Sequence, residues 1–179
     1  MNRDPKFLYL QLRWFTRLRW VAGTTVAAIA LLDHGWIRAY EHSEWLLDLG
    51  IGVLAYNAIL WLLLHGIIGA VGKRMPLLLL AWAQLLLDLG SLTLLVLWNG
   101  GVHSPITGFF VFQMVFASLL LPRPMAYASA ASAIALYAGG LTLTHRAPLS
   151  LHDQLLLGGQ VVVIVVTVFL ANHIMRGLR

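Results

Sequence analysis

The sequence predicts an all-α polytopic membrane protein with six transmembrane helices and both termini in the cytoplasm. Three observations carry this. First, 60% of the 179 residues are hydrophobic and only 11% are charged, whereas soluble domains run near ~45–50% apolar and ~25% charged. Second, apolar runs of about 20 residues, the length needed to cross a bilayer core, recur along the whole chain. Third, the charges that remain sit at the ends of those runs and are distributed unequally between the two sides. The absence of cysteine excludes disulfides, thiolate metal sites, iron–sulfur clusters and a cysteine nucleophile, so any redox role needs a bound cofactor or quinone.

Six spans follow in order, each bounded by charge, proline or turn signals. The first runs from Trp20 to Ile37. Its uncharged part ends at Leu32, so it must continue through Asp33 and His34, which makes Asp33 an interfacial residue. The second runs from Trp45 to Gly69 and the third from Leu77 to Trp98. The fourth, Pro105 to Leu121, is barely long enough to cross a core of about 30 Å. The fifth, Met125 to Thr144, is crowded with small residues (Ala126, Ser129, Ala130, Ala133, Gly139 and Gly140 among them) that let helices approach closely, so it belongs in the bundle centre or at a dimer seam. The sixth runs from Leu155 to Ile174.

Domain organisation reads as a basic segment over residues 1–19, a six-helix membrane domain over 20–174 and a short stub over 175–179. The basic segment interleaves its charges with Phe7, Leu8, Leu10, Leu12, Trp14 and Phe15, and two forms fit it: an interfacial helix on anionic lipid, or an extension of the first span. It lacks the apolar region and cleavage site of a secretory signal, so nothing is expected to be removed.

Orientation follows from the loops. Arg3, Lys6, Arg13, Arg17, Arg19, Lys73, Arg74, Arg123, Arg176 and Arg179 fall on one side, and only Arg38 and Arg146 on the other. The positive-inside rule places the basic side in the cytoplasm, as expected for a bacterial inner-membrane protein. The net charge of +5 is thus spent on orientation, and nucleic acid is not an expected partner. Membrane lipid is.

Four polar side chains fall near mid-membrane: Asn57, Gln84, Asp88 and Gln113. Asp88 lies about 15 Å below the outer end of its span, where a charge is costly, so it should face the bundle interior, protonated or hydrogen-bonded. Together the four form a candidate polar layer, serving as interhelical glue or as a proton or ligand site. Histidines divide into an outer group (His34, His42, His103, His145, His152) and an inner pair (His65, His173). The outer group lacks fixed ligand spacing, and a haem between His65 and His173 would need two imidazoles at one depth on facing spans. No metal site is therefore assigned.

The loop between the third and fourth spans is the most informative stretch: Trp98, Asn99, Gly100, Gly101, Val102, His103, Ser104, Pro105, Ile106. Paired glycines permit a turn forbidden to other residues, Ser104 suits a helix cap, and Pro105 suits a first helical turn. Trp98, Phe109, Phe110 and Phe112 surround it with aromatic surface, which is either an interfacial belt or an apolar slot beside loop amides.

This loop resembles that of the membrane sensor domain of RegB/PrrB-type histidine kinases. The likeness also takes in Leu18-Arg19-Trp20 at the first span, Asp88 in the third, and an aromatic fourth span closing on Leu119-Leu120-Leu121-Pro122. In that family the loop motif is Gly-Gly-x-x-Asn-Pro-Phe and is associated with ubiquinone sensing; here Gly100, Gly101 and Pro105 match, with Ser104 in place of Asn and Ile106 in place of Phe. The resemblance implies a signal-input domain of a two-component system, working as a homodimer, with a quinone-like ligand held by Trp98, Gly100, Gly101, Val102, His103, Ser104, Pro105, Phe109 and Phe112. A kinase of this family would continue into phospho-acceptor and ATP-binding domains. Neither motif occurs in this chain, so no enzymatic activity is expected of it, whether it is a truncated kinase, an isolated sensor or a stand-alone relative. The rival expectation is an accessory subunit of a larger respiratory or photosynthetic complex that uses the same slot for lipid or quinone.

Overall fold

The computed structural model describes residues 5–32, 43–68, 74–144 and 150–177. The expectations placed on Asp33, His34, Arg38, His42, His145 and Arg146 lie outside the described residues. Among those described, the chain is helical throughout its ordered elements and contains no strand. Among the described residues the α-helices are α1 (Pro5–Leu32), α2 (Ser43–Leu63), α3 (Arg74–Trp98), α4 (Phe109–Leu120), α5 (Arg123–Thr144) and α6 (Leu151–Gly177). A π-helical turn, Leu64–Ile68, extends α2, and two short 3-10 turns, Gly101–His103 and Pro105–Gly108, precede α4.

Five of these helices are long and apolar enough to cross a membrane. The stretch Pro105–Leu120 is shorter. Its four 3-10 residues and twelve α-helical residues reach about 26 Å, below the ~30 Å of a hydrocarbon core. The cause is local: Pro105 opens the 3-10 turn, and Leu121 is extended (φ −98°, ψ 155°) before Pro122, which disfavours α geometry in the residue ahead of it. Residues 5–19 of the basic segment form the first part of α1, which runs unbroken for 28 residues.

The chain divides into two compact units, residues 1–81 and 82–179, with α3 crossing the division. In the first unit, α1 and α2 pack as an antiparallel hairpin. Leu8, Leu12, Thr16, Arg19, Gly23 and Ala30 form the inner face of α1, spaced three, four or seven residues apart as one helical face requires. The buried Asn57 of α2 donates from Nδ2 to the Thr16 carbonyl at 3.0 Å, and Thr16 itself turns its hydroxyl back to the Leu12 carbonyl at 2.9 Å. Gly50 meets the backbone of Ala27, and the Tyr9 and His65 rings meet edge to face at 6.2 Å.

The second unit is built from the end of α3 with α4, α5 and α6. The small-residue face of α5 is packed inside it: Ala126, Ser129, Ala130, Ala133, Tyr137 and Leu141 are buried, and α4 and α6 are its neighbours. Gly140 admits the side chain of Leu97, which would lie 2.6 Å from a Cβ there. On α6 the inner stripe is Gln160, Ile164, Val168 and Asn172, at four-residue spacing. Asn172 donates to Ser118 Oγ of α4 at 3.3 Å and to the Val168 carbonyl at 2.9 Å. The stripe is thus apolar in the middle and hydrogen-bonded at both ends.

Candidate functional site

The loop after α3 is shaped by its glycines. Gly100 (φ +101°) and Gly101 (φ +58°) both occupy the left-handed region, where a side chain would be strained. The turn closes through two backbone bonds, His103 N–H to the Gly100 carbonyl and Ser104 N–H to the Gly101 carbonyl, each 3.1 Å. Ser104 then behaves as the sequence suggests: its Oγ accepts from Ile106 N–H at 3.3 Å, with Pro105 in the first position of the next turn. Gly101, Val102 and Ser104 are buried while Gly100, His103 and Pro105 are exposed, so the loop has an inner and an outer side.

What holds the loop in place is α6. Gln160 donates from Nε2 to the Val102 carbonyl at 2.9 Å, and its Oε1 accepts a short hydrogen bond from the Tyr137 hydroxyl of α5. The Tyr137 ring is fully buried and packs on Phe110 of α4, ring centroids 5.4 Å apart. One residue along the loop, the His103 Nε2–H donates to Asp153 Oδ1 at 3.0 Å. Asp153 is fixed at the start of α6 by Ser150, whose Oγ donates to Oδ2 at 2.8 Å and accepts from Asp153 N–H at 3.1 Å, a reciprocal cap of the helix end. His103 also stacks on His152 at 6.0 Å. Gln160 lies about 10 Å further along α6 than Asp153. The result is a continuous line of polar groups from exposed His103 down to buried Tyr137, with α6 touching the loop at two levels.

The expected aromatic surround divides. Trp98 is half-buried at the loop, whereas Phe109 and Phe112 are 57% and 58% exposed. Their rings lie 5.9 Å apart on the outward face of α4, and it is Phe110, one position along, that enters the core. Of the four mid-membrane polar residues, Asn57 belongs to the first unit and bonds the Thr16 carbonyl, while Gln84, Asp88 and Gln113 belong to the second. Gln84 is buried and Asp88 and Gln113 are half-buried. His65 Nδ1–H is bonded to the Trp61 carbonyl at 2.9 Å, and His173 stacks on Phe169 at 6.2 Å; the two histidines belong to different units. Among the described residues no cluster of three metal-ligating side chains occurs.

Tyr137 and Gln160 are the site residues that sequence reasoning missed. A signal for Gln160 existed: it is a lone amide inside an apolar run, at a depth where a polar side chain needs a partner inside the bundle. No protein-family model, curated protein or solved structure matches the chain.

Proposed function

We propose that this chain is a membrane-embedded signal-input domain, similar to that of redox-sensing histidine kinases, that binds a quinone-like ligand at the Gly100–Ser104 loop and passes its state to α6. The observation that carries this reading is the double attachment of the loop to α6, through Gln160 to Val102 and through Asp153 to His103. A ligand that shifts the loop must break or stretch one of these bonds, or move α6 with it. The turn's own bonds engage the amides of His103 and Ser104, leaving those of Gly101 and Val102 as candidate donors to a quinone oxygen. Trp98 supplies a flat apolar face. Phe109 and Phe112 form the outer edge of this site, on the face that meets lipid. The domain is not itself catalytic and works as a homodimer in a bacterial inner membrane.

Quinone binding by the purified protein in lipid nanodiscs tests this reading. Trp98→Ala should weaken binding roughly threefold to tenfold, the effect of a lost contact of about 0.5–1.5 kcal/mol. Gly101→Leu should weaken it more, because it forces a branched side chain into a buried left-handed position. Wild-type protein without saturable quinone binding, or unchanged affinity in both folded variants, would remove the loop as a quinone site and favour an accessory subunit of a larger complex.

The proposed topology has six spans, both termini cytoplasmic and the Gly100 loop outside. Single cysteines at Ser43 and Ser150 should react with an impermeant thiol reagent in intact cells, while one at Met75 should be protected. The opposite labelling pattern would invert the topology.

A further inference from the structure

The first half of α1 carries a cationic face whose position in the hairpin is unusual. At about 100° per residue, Lys6, Arg13 and Arg17 fall within roughly 40° of one another, and Trp14 and Trp20 flank them. Arg17, Trp14 and Trp20 are exposed and Arg13 is half-exposed. The packing face of α1, with Leu8, Leu12, Thr16 and Arg19, lies on the far side of the helix. The cations therefore point away from α2.

The register of the hairpin sets their depth. Thr16 is level with Asn57 and Tyr9 with His65, so Arg13 is level with about Leu60 and Trp61 by the ~1.5 Å rise of both helices. At that level α2 exposes Ile59, Trp61 and Leu62, large apolar side chains that belong against acyl chains. A guanidinium at the same depth is costly unless it reaches the interface or meets an anion. Side chains of a helix tilt toward its N-terminus, so Arg13 and Arg17 extend toward the membrane surface that the N-terminal end of α1 meets. Arginine binds phosphate oxygens in a bidentate fork, and tryptophan anchors at headgroup level.

From this placement we infer that the Arg13–Arg17 face of α1, on the side turned away from α2, binds the phosphate headgroups of anionic phospholipid. The occupant is lipid and not a soluble anion, because exposed apolar side chains of α1 itself, Leu10, Trp14, Trp20 and Val21, border the cations and suit acyl chains rather than inorganic phosphate.

The test is native mass spectrometry of the detergent-solubilised full chain, with phosphatidylglycerol and phosphatidylcholine added in parallel. The wild type should retain phosphatidylglycerol in preference. Each arginine near the surface contributes about fivefold, so Arg13→Gln with Arg17→Gln should reduce the retention about thirtyfold, and Arg17→Gln alone about fivefold. Arg123→Gln, a basic residue at the start of α5, should leave it unchanged, and Arg13→Lys with Arg17→Lys should keep most of it. Millimolar inorganic phosphate should not compete. If the double glutamine variant loses helicity by circular dichroism, the single Arg17→Gln variant decides. Equal retention of both lipids by the wild type, undiminished phosphatidylglycerol binding by the folded glutamine variant, or displacement by inorganic phosphate would overturn the inference.

Discussion

Replacing Gln160 by leucine should destabilise the second unit by about 2–3 kcal/mol. The volume is nearly kept, so the loss comes from hydrogen bonds and not from a cavity. Two buried groups lose their partner at once: the Tyr137 hydroxyl on a fully buried ring, and the Val102 carbonyl in a buried loop. A buried polar group left without a partner costs about 1–3 kcal/mol, whereas an interhelical hydrogen bond in a membrane protein is worth only ~0.6 kcal/mol on average. The first figure governs Gln160→Leu because it removes one partner and leaves the others stranded. The second governs Tyr137→Phe, which takes away a single donor and leaves Gln160, itself only half-buried, able to turn elsewhere. Tyr137→Phe should therefore cost below about 1 kcal/mol, and the double variant less than the sum, because the stranded hydroxyl is gone. Unfolding in mixed micelles, followed by circular dichroism, measures all three. A Gln160→Leu variant within about 0.5 kcal/mol of the wild type would show that the loop is held by packing alone.

The apolar runs were sufficient to locate the long helices among the described residues, because a backbone that has no water to bond must satisfy itself internally whatever its neighbours do. Their ends were less legible. The helices α1, α3, α5 and α6 all begin earlier than the apolar runs, in stretches such as Pro5–Arg19 and Leu151–Gln154 whose polar residues lower the hydropathy without interrupting helical bonding. The turn chemistry of Gly100, Gly101, Ser104 and Pro105 was readable in full, since each acts through its own backbone or a neighbour two residues away. The partners of Asn57 and Gln160 were not. Both amides bond a main-chain carbonyl, Thr16 and Val102, and a carbonyl has no sequence signature. The aromatic residues of α4 show a different limit. Phe109 and Phe112 share one face and Phe110 and Met114 another, but both faces are apolar, so periodicity alone does not say which turns inward.

Gly50 should be the least replaceable glycine of the α1–α2 hairpin. A Cβ there would lie 2.9 Å from the Ala27 nitrogen and 3.1 Å from its Cα. These are backbone atoms in the middle of a helix and cannot rotate aside, so the two helices must separate. That separation strains the Asn57 bond to the Thr16 carbonyl, about two helical turns away, and opens the buried contacts between. Overpacking typically costs ~1–3 kcal/mol, so Gly50→Ala should lose about 2 kcal/mol and Gly50→Val at least about 3. Gly23 gives the graded comparison. A Cβ there meets only side-chain atoms, Leu54 Cδ2 at 2.8 Å, Leu54 Cγ at 3.0 Å and Val53 Cγ1 at 3.2 Å, which can give way more readily than backbone, so Gly23→Ala should cost less than Gly50→Ala, about 1 kcal/mol. Gly52, one position off the contact face, has nothing within 4 Å of a Cβ. Gly52→Ala should be neutral or stabilising by up to about 1 kcal/mol, from helix propensity alone. Unfolding of the three alanine variants under one set of conditions gives the ranking directly, and a Gly50→Ala variant as stable as Gly52→Ala would mean that the hairpin does not pack in this register.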